Sequence, residues 1–117
     1  MINEERKIGK VIEELTIFFL NSGAQDIGTE IKRKGRFIYV TFRSDFASLY
    51  EDDVRKFEEY MNEPRNQGME DMYWELAGSG DVSESSQLLL IANMSGEHEI
   101  RIEGNHVEVT MKKALWY

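Results

Sequence analysis

The sequence predicts an α/β (α+β) two-layer sandwich: a four-stranded sheet of two β-hairpins with helices on one face, in the order α-β-β-α-α-α-β-β. Three observations carry this expectation. Apolar residues recur at three- and four-residue spacing over residues 3–22, the period of one helical face. Two stretches of alternating polarity each fold back about a glycine, at Lys34-Gly35 and at Gly104-Asn105. Between these hairpins lie helical patterns separated by turn residues, and helices gathered on one face of such a sheet make two layers.

The first helix is read from Ile8, Val11, Ile12, Leu15, Phe18 and Phe19, with Asn3 as its cap and Gly23 just past its end. Ile17 and Leu20 widen the apolar stripe until the C-terminal end is apolar nearly all round. A helix end of that kind must be covered on two sides. Strands are expected over residues 25–33 and 36–43. With Lys34-Gly35 as the turn, Ile31 faces Ile38, Thr29 faces Val40 and Ile27 faces Phe42.

A second helix is expected to begin at Ser48, where Ser48-x-x-Glu51 forms a capping box and Asp52 and Asp53 suit the positive end of the helix dipole. Phe46, Leu49, Tyr50, Val54, Phe57 and Tyr60 line its apolar side. The run from Asn62 to Gly68 reads as a loop, followed by a short helix from Met69 to Ala77 that stops at Gly78. Gly78-Ser79-Gly80 is a joint, and the next helix runs from about Ser83 to Ser95 behind an Asp81–Glu84 capping box. The chain closes with strands over residues 99–103 and 106–113. Here Ile102 faces Val107 and Ile100 faces Val109 on the buried side, while Arg101 faces Glu108 on the wet side.

At 117 residues the chain is expected to be one domain, 1–117, with a core sufficient without a disulfide or metal. Cysteine is absent, which removes thiolate metal sites and cysteine nucleophiles and fits a reducing compartment. No apolar run approaches the ~20 residues needed to span a bilayer, and the first residues read as the start of a helix rather than a leader. The expected compartment is the cytoplasm. A net charge of −8 argues against nucleic acid as a partner, because phosphates demand a basic surface.

The order of elements resembles the ATP-binding domain of histidine kinases and anti-sigma factors, the histidine-kinase-like (GHKL) ATPase family. The N-terminal match lies in Glu14-Leu15-Thr16-Ile17-Phe18-Phe19-Leu20-Asn21-Ser22-Gly23 and the two strands after it. The C-terminal match is Leu88 to Gly96, then Glu99-Ile100-Arg101-Ile102 and Val107-Glu108-Val109-Thr110. The resemblance implies ATP with magnesium as ligand, but the family's chemistry is largely missing. Its magnesium-ligating asparagine aligns with Phe18, which has no ligand atom. Its adenine-reading aspartate has Asp45 as the nearest counterpart, set one residue late and lacking the following glycine. Its glycine-rich phosphate box reads Ser83-Glu84-Ser85-Ser86, with an anion where phosphate would sit.

Each remaining candidate has a plainer reading beside it. Glu14 stands at the family's glutamate position and could orient a water; an exposed helix glutamate beside Glu13 is the plainer account. Asp45, at a strand end, could contact a nucleotide or simply cap the following helix. His98 and His106 flank the closing hairpin and read as surface residues, two histidines being too few for a metal site. Lys32, Arg33, Lys34 and Arg36 form a basic hairpin tip, either blunting an edge strand or meeting an acidic partner.

The expectation that results is a non-catalytic regulatory or protein-interaction module on a histidine-kinase-like ATPase fold, with no cofactor and with Ile17, Leu20 and Trp74 at the interface of a homodimer. The alternative is a divergent ATP-binding protein, an ATPase or anti-sigma-type serine kinase. Asp45 and Glu14 would then serve the nucleotide, and Gly78 and Gly80 its lid.

Overall fold

Two glycines with positive φ, Gly35 at +60° and Gly104 at +58°, reverse the chain within two residues and so set the pairing within each hairpin. In each turn the second residue keeps a negative φ, the combination of a type II′ hairpin with glycine first. The computed structural model describes residues 4–62 and 97–115. Its elements are α1 (Glu4–Asn21), β1 (Ile27–Lys34), β2 (Phe37–Asp45), a single 3₁₀ turn (Ser48–Tyr50), α2 (Glu51–Met61), β3 (Glu97–Glu103) and β4 (His106–Ala114). The strands form one antiparallel sheet in the order β1-β2-β4-β3. The two helices expected over Met69–Ala77 and Ser83–Ser95 lie outside the described residues, as do Trp74, Gly78, Gly80 and Glu84.

The closing hairpin has the expected register, Ile102 opposite Val107, Ile100 opposite Val109 and Arg101 opposite Glu108. The first hairpin does not. It turns at Gly35-Arg36, so that Ile31 faces Val40, Thr29 faces Phe42 and Ile27 faces Ser44. Moving the turn by one residue moves every pairing by two, which leaves each side chain on its expected face. Alternation alone therefore cannot distinguish the two turns.

α1 ends as its sequence requires. Gly23 takes φ +82°, the amide of Ala24 bonds the Phe19 carbonyl at 2.9 Å and that of Gly23 bonds the Leu20 carbonyl at 3.2 Å. These are the two bonds of a Schellman cap, with Ala24 packed against the core. The start of α2 differs from expectation. Ala47 precedes the 3₁₀ turn and no side chain caps it, so the Ser48–Glu51 box does not form. A turn of three residues rather than 3.6 also rotates Leu49 off the stripe of Val54, Phe57 and Met61, and it stands 83% exposed.

The core is a single layer between the helices and one face of the sheet. Val11, Leu15, Phe18 and Phe19 from α1 meet Phe46, Val54, Phe57 and Met61, and both sets rest on Val40, Phe42, Val107, Val109 and Met111. Phe19 stands edge-on to Phe18 at 5.0 Å and to Phe57 at 5.6 Å, and lies 5.7 Å from Phe42, so one ring joins both helices to the sheet. Burial of such rings, about 1.5–3 kcal/mol each, is the main force holding the layers together. β4 and β2 carry most of the sheet's buried side chains because they are its central strands.

Candidate functional site

Alternation places a second set of side chains on the sheet face away from α1 and α2. Across the strands, one row reads Gly28, Arg43, Glu108 and Arg101, and the next reads Asp45, His106 and Glu103. With Asp26 just before β1, these residues line an open cleft of about 460 Å³. Glu108 sits between two guanidinium-bearing strands, and its Oε2 accepts from Arg43 Nε at 3.0 Å. The cross-strand pair expected between Arg101 and Glu108 keeps its register, but Arg101 instead approaches Glu103 along its own strand at 3.8 Å. The arrangement is a polar groove of alternating charge. Chemically it can hold ions and hydrogen-bonding groups, and Ser44 Oγ is committed to the carbonyl of Asp45 at 2.7 Å. Among the described residues, no three His, Asp or Glu side chains are gathered as a metal centre.

Asp45 lines this cleft and does not cap α2. Its Oδ1 accepts the amides of Gln25 at 2.8 Å and Asp26 at 3.1 Å, pinning the α1–β1 connection to the end of β2. Those two amides hold its carboxyl below the usual carboxylate range; partial desolvation opposes them and the charge of His106 adds a small pull in the same direction. Glu14 is elsewhere. It was expected on the surface, yet it is buried within the stripe of Val11, Leu15 and Phe18, one helical turn from each of Lys10 and Phe18. Its charge is met by Lys10 Nζ at 3.0 Å. The fold thus gives Asp45 to the outer side of the sheet and Glu14 to the helical layer. Phe18, where the resembled family carries a magnesium ligand, is 6% exposed and packs at 5.1 Å from Phe57.

The histidines lie at opposite ends of the closing hairpin, His106 opposite Glu103 and His98 opposite Met111. His98 is half-buried, and its Nε2 donates to the Met61 carbonyl at the end of α2. A carbonyl can only accept, so this nitrogen carries the proton.

Ile17 and Leu20 are 45% and 57% exposed on the outer side of α1. The helix ends beside the β2–α2 connection, where the Ala47 amide bonds the Ser22 carbonyl at 3.0 Å. Leu49, also exposed, follows two residues later. Periodicity placed Leu49 on the apolar side of the second helix, because a 3₁₀ turn has no signature distinct from the first turn of a helix. The outward phase of β2 also carries Phe37 and Tyr39, with Lys112 Nζ 4.5 Å and 5.9 Å from their ring centres.

Compared with known proteins, the chain matches no family model and no curated sequence.

Proposed function

We propose that the protein is a non-catalytic regulatory or interaction module, built on a histidine-kinase-like ATPase arrangement that has lost its nucleotide motifs, and that it self-associates. The observation that carries this reading is the exposure of Ile17 and Leu20 at the end of a helix whose opposite side is fully packed. Aliphatic side chains left in water forgo on the order of 1.5–3 kcal/mol each, and contiguous ones mark contact surfaces. The burial of Phe18 supports the loss of nucleotide chemistry, since its ring occupies core space and offers no oxygen to magnesium. The divergent ATP-binding alternative would need Asp45 for adenine, yet one of its oxygens already serves two main-chain amides.

Sedimentation velocity of the purified chain, with Leu20→Glu alongside, tests the proposal. A wild-type dimer that dissociates in the variant supports it. A wild-type monomer at high micromolar concentration, or micromolar binding of magnesium-ATP by calorimetry, refutes it.

A further inference from the structure

β1 is an edge of the sheet: β2 pairs with one side of it, and among the described residues no strand pairs with the other. It is eight residues long and almost wholly exposed. The two-residue turn makes Lys34 and Phe37 a hydrogen-bonded pair, and antiparallel pairs alternate. Gly28, Glu30 and Lys32 therefore exchange main-chain bonds with β2. The amides and carbonyls of Thr29, Ile31 and Arg33 are directed outward. Ile31 projects on the helix-bearing side of the sheet, opposite Val40, yet is 53% exposed. Glu30 and Lys32, on the other face, have side chains 56% and 63% exposed and lie 3.7 Å apart.

Charge decides what such an edge can pair with. Two copies of β1 related by a two-fold axis perpendicular to the sheet must pair with an even sum of residue numbers, so that both core faces stay on one side. Centring the axis on Glu30 sets Glu30 against itself, and centring it on Lys32 sets Lys32 against itself. Centring it on Ile31 sets Ile31 against Ile31 and Glu30 against the partner's Lys32 twice over. Thr29 then meets the partner's Arg33, and Gly28 the partner's Lys34. That register has no like-charge pair, and its outward main-chain groups meet in about six hydrogen bonds.

We propose that β1 pairs with the β1 of a second copy of this chain, centred on Ile31, to make one continuous eight-stranded antiparallel sheet. The charges of this edge, which blunt other strands, pair oppositely in this register, and its two Glu30–Lys32 pairs distinguish it from a register centred on Thr29, which sets Glu30 against Gly28. The surface is separate from the Ile17–Leu20 face of α1, and the two contacts are distinguishable by experiment.

The test is a charge swap in the full chain, read by sedimentation equilibrium, with circular dichroism confirming the fold. Both side chains are exposed, so neither change disturbs the core. Glu30→Lys and Lys32→Glu each place two like-charge pairs across the axis and are expected to raise the dimer dissociation constant by at least about tenfold. The double variant Glu30→Lys/Lys32→Glu restores both pairs and is expected to return to the wild-type value. Cross-linking gives a second reading, because the chain contains no native cysteine. Ile31→Cys places two thiols on Cα atoms about 5.5 Å apart, within disulfide reach, and should oxidise to a covalent dimer. Thr29→Cys places them four residues apart along the strand, about 13 Å, and should not. Unchanged association in the single swaps, or equal cross-linking at 29 and 31, overturns the proposal. Dissociation by Leu20→Glu alone would leave the α1 face as the contact and remove this one. Dissociation by the swaps alone would do the reverse.

Discussion

The ring of Phe18 lies 5.1 Å from that of Phe57, tilted by 30°, and this contact joins the first helix to the second above the sheet. Replacing Phe18 by asparagine, the residue the resembled family carries there, would remove the ring and bury an amide without a matched partner. The expected cost is about 3–5 kcal/mol, the range for truncating a buried aromatic. Chemical denaturation measures it. Calorimetry of the same variant should show no gain of magnesium-ATP binding, because its side chain would face Phe19 and Phe57 rather than solvent.

Asp45 makes stability fall in acid. Its carboxylate accepts two amides in the folded chain, so its pKa is lower there than in the unfolded chain. Above the ordinary value of about 3.9 the group is ionised in both states, and its stabilising contribution is complete. As pH falls through the folded pKa, the unfolded chain has already taken its proton and the contribution is lost. Urea midpoints of wild type and Asp45→Asn should therefore differ at pH 7 and converge as the pH falls through the lowered pKa of the folded chain. A gap that widens in acid would contradict this assignment.

Two glycines with positive φ should respond unequally to substitution. A Cβ on Gly23 would stand 2.8 Å from the Ala47 Cβ, where the helix end meets the β2–α2 connection. Gly23→Ala is expected to cost about 1–3 kcal/mol from backbone strain and collision together. Gly104 has open space around it, so Gly104→Asn meets the backbone strain of a positive φ without a collision and should cost less than Gly23→Ala, on the order of 1 kcal/mol. Thermal unfolding of the two variants checks the contrast.

His98 ties the end of α2 to β3 through the Met61 carbonyl. Helix-terminal carbonyls lack a partner within the helix, and His98→Ala would leave this one to find water in a half-buried place. The expected loss is about 1 kcal/mol. Amide exchange should quicken in the last turn of α2 and in β3 while α1 stays protected; uniform quickening would indicate a global effect instead.

The faces of the strands were legible in the sequence because strand periodicity is local: Ile100, Ile102, Val107 and Val109 alternate about one glycine turn, and the structure keeps that register. The helical stripe of α1 was legible for the same reason, and so was its glycine stop. The first hairpin was ambiguous, since Lys34-Gly35 and Gly35-Arg36 preserve the same faces. Glu14 was misread because a lone carboxylate within an apolar stripe looks exposed until Lys10 is seen to meet it.

Which residues alternate, and that the chain reverses about each of two glycines, are properties of a few neighbours, and the sequence by itself determined them. Strand order, and with it the identity of the edges, came only from the tertiary structure. Both hairpins have apolar faces, and nothing local says that β2 and β4 meet in the centre while Ile31 is left at the rim. That choice depends on contacts between residues some seventy positions apart, such as Phe42 against Val109. The same pairing brings Asp45, Arg43, Glu108 and His106 to one cleft and sends Glu14 to another layer. Side-chain type sets what each residue can do; long-range packing decides which of them meet.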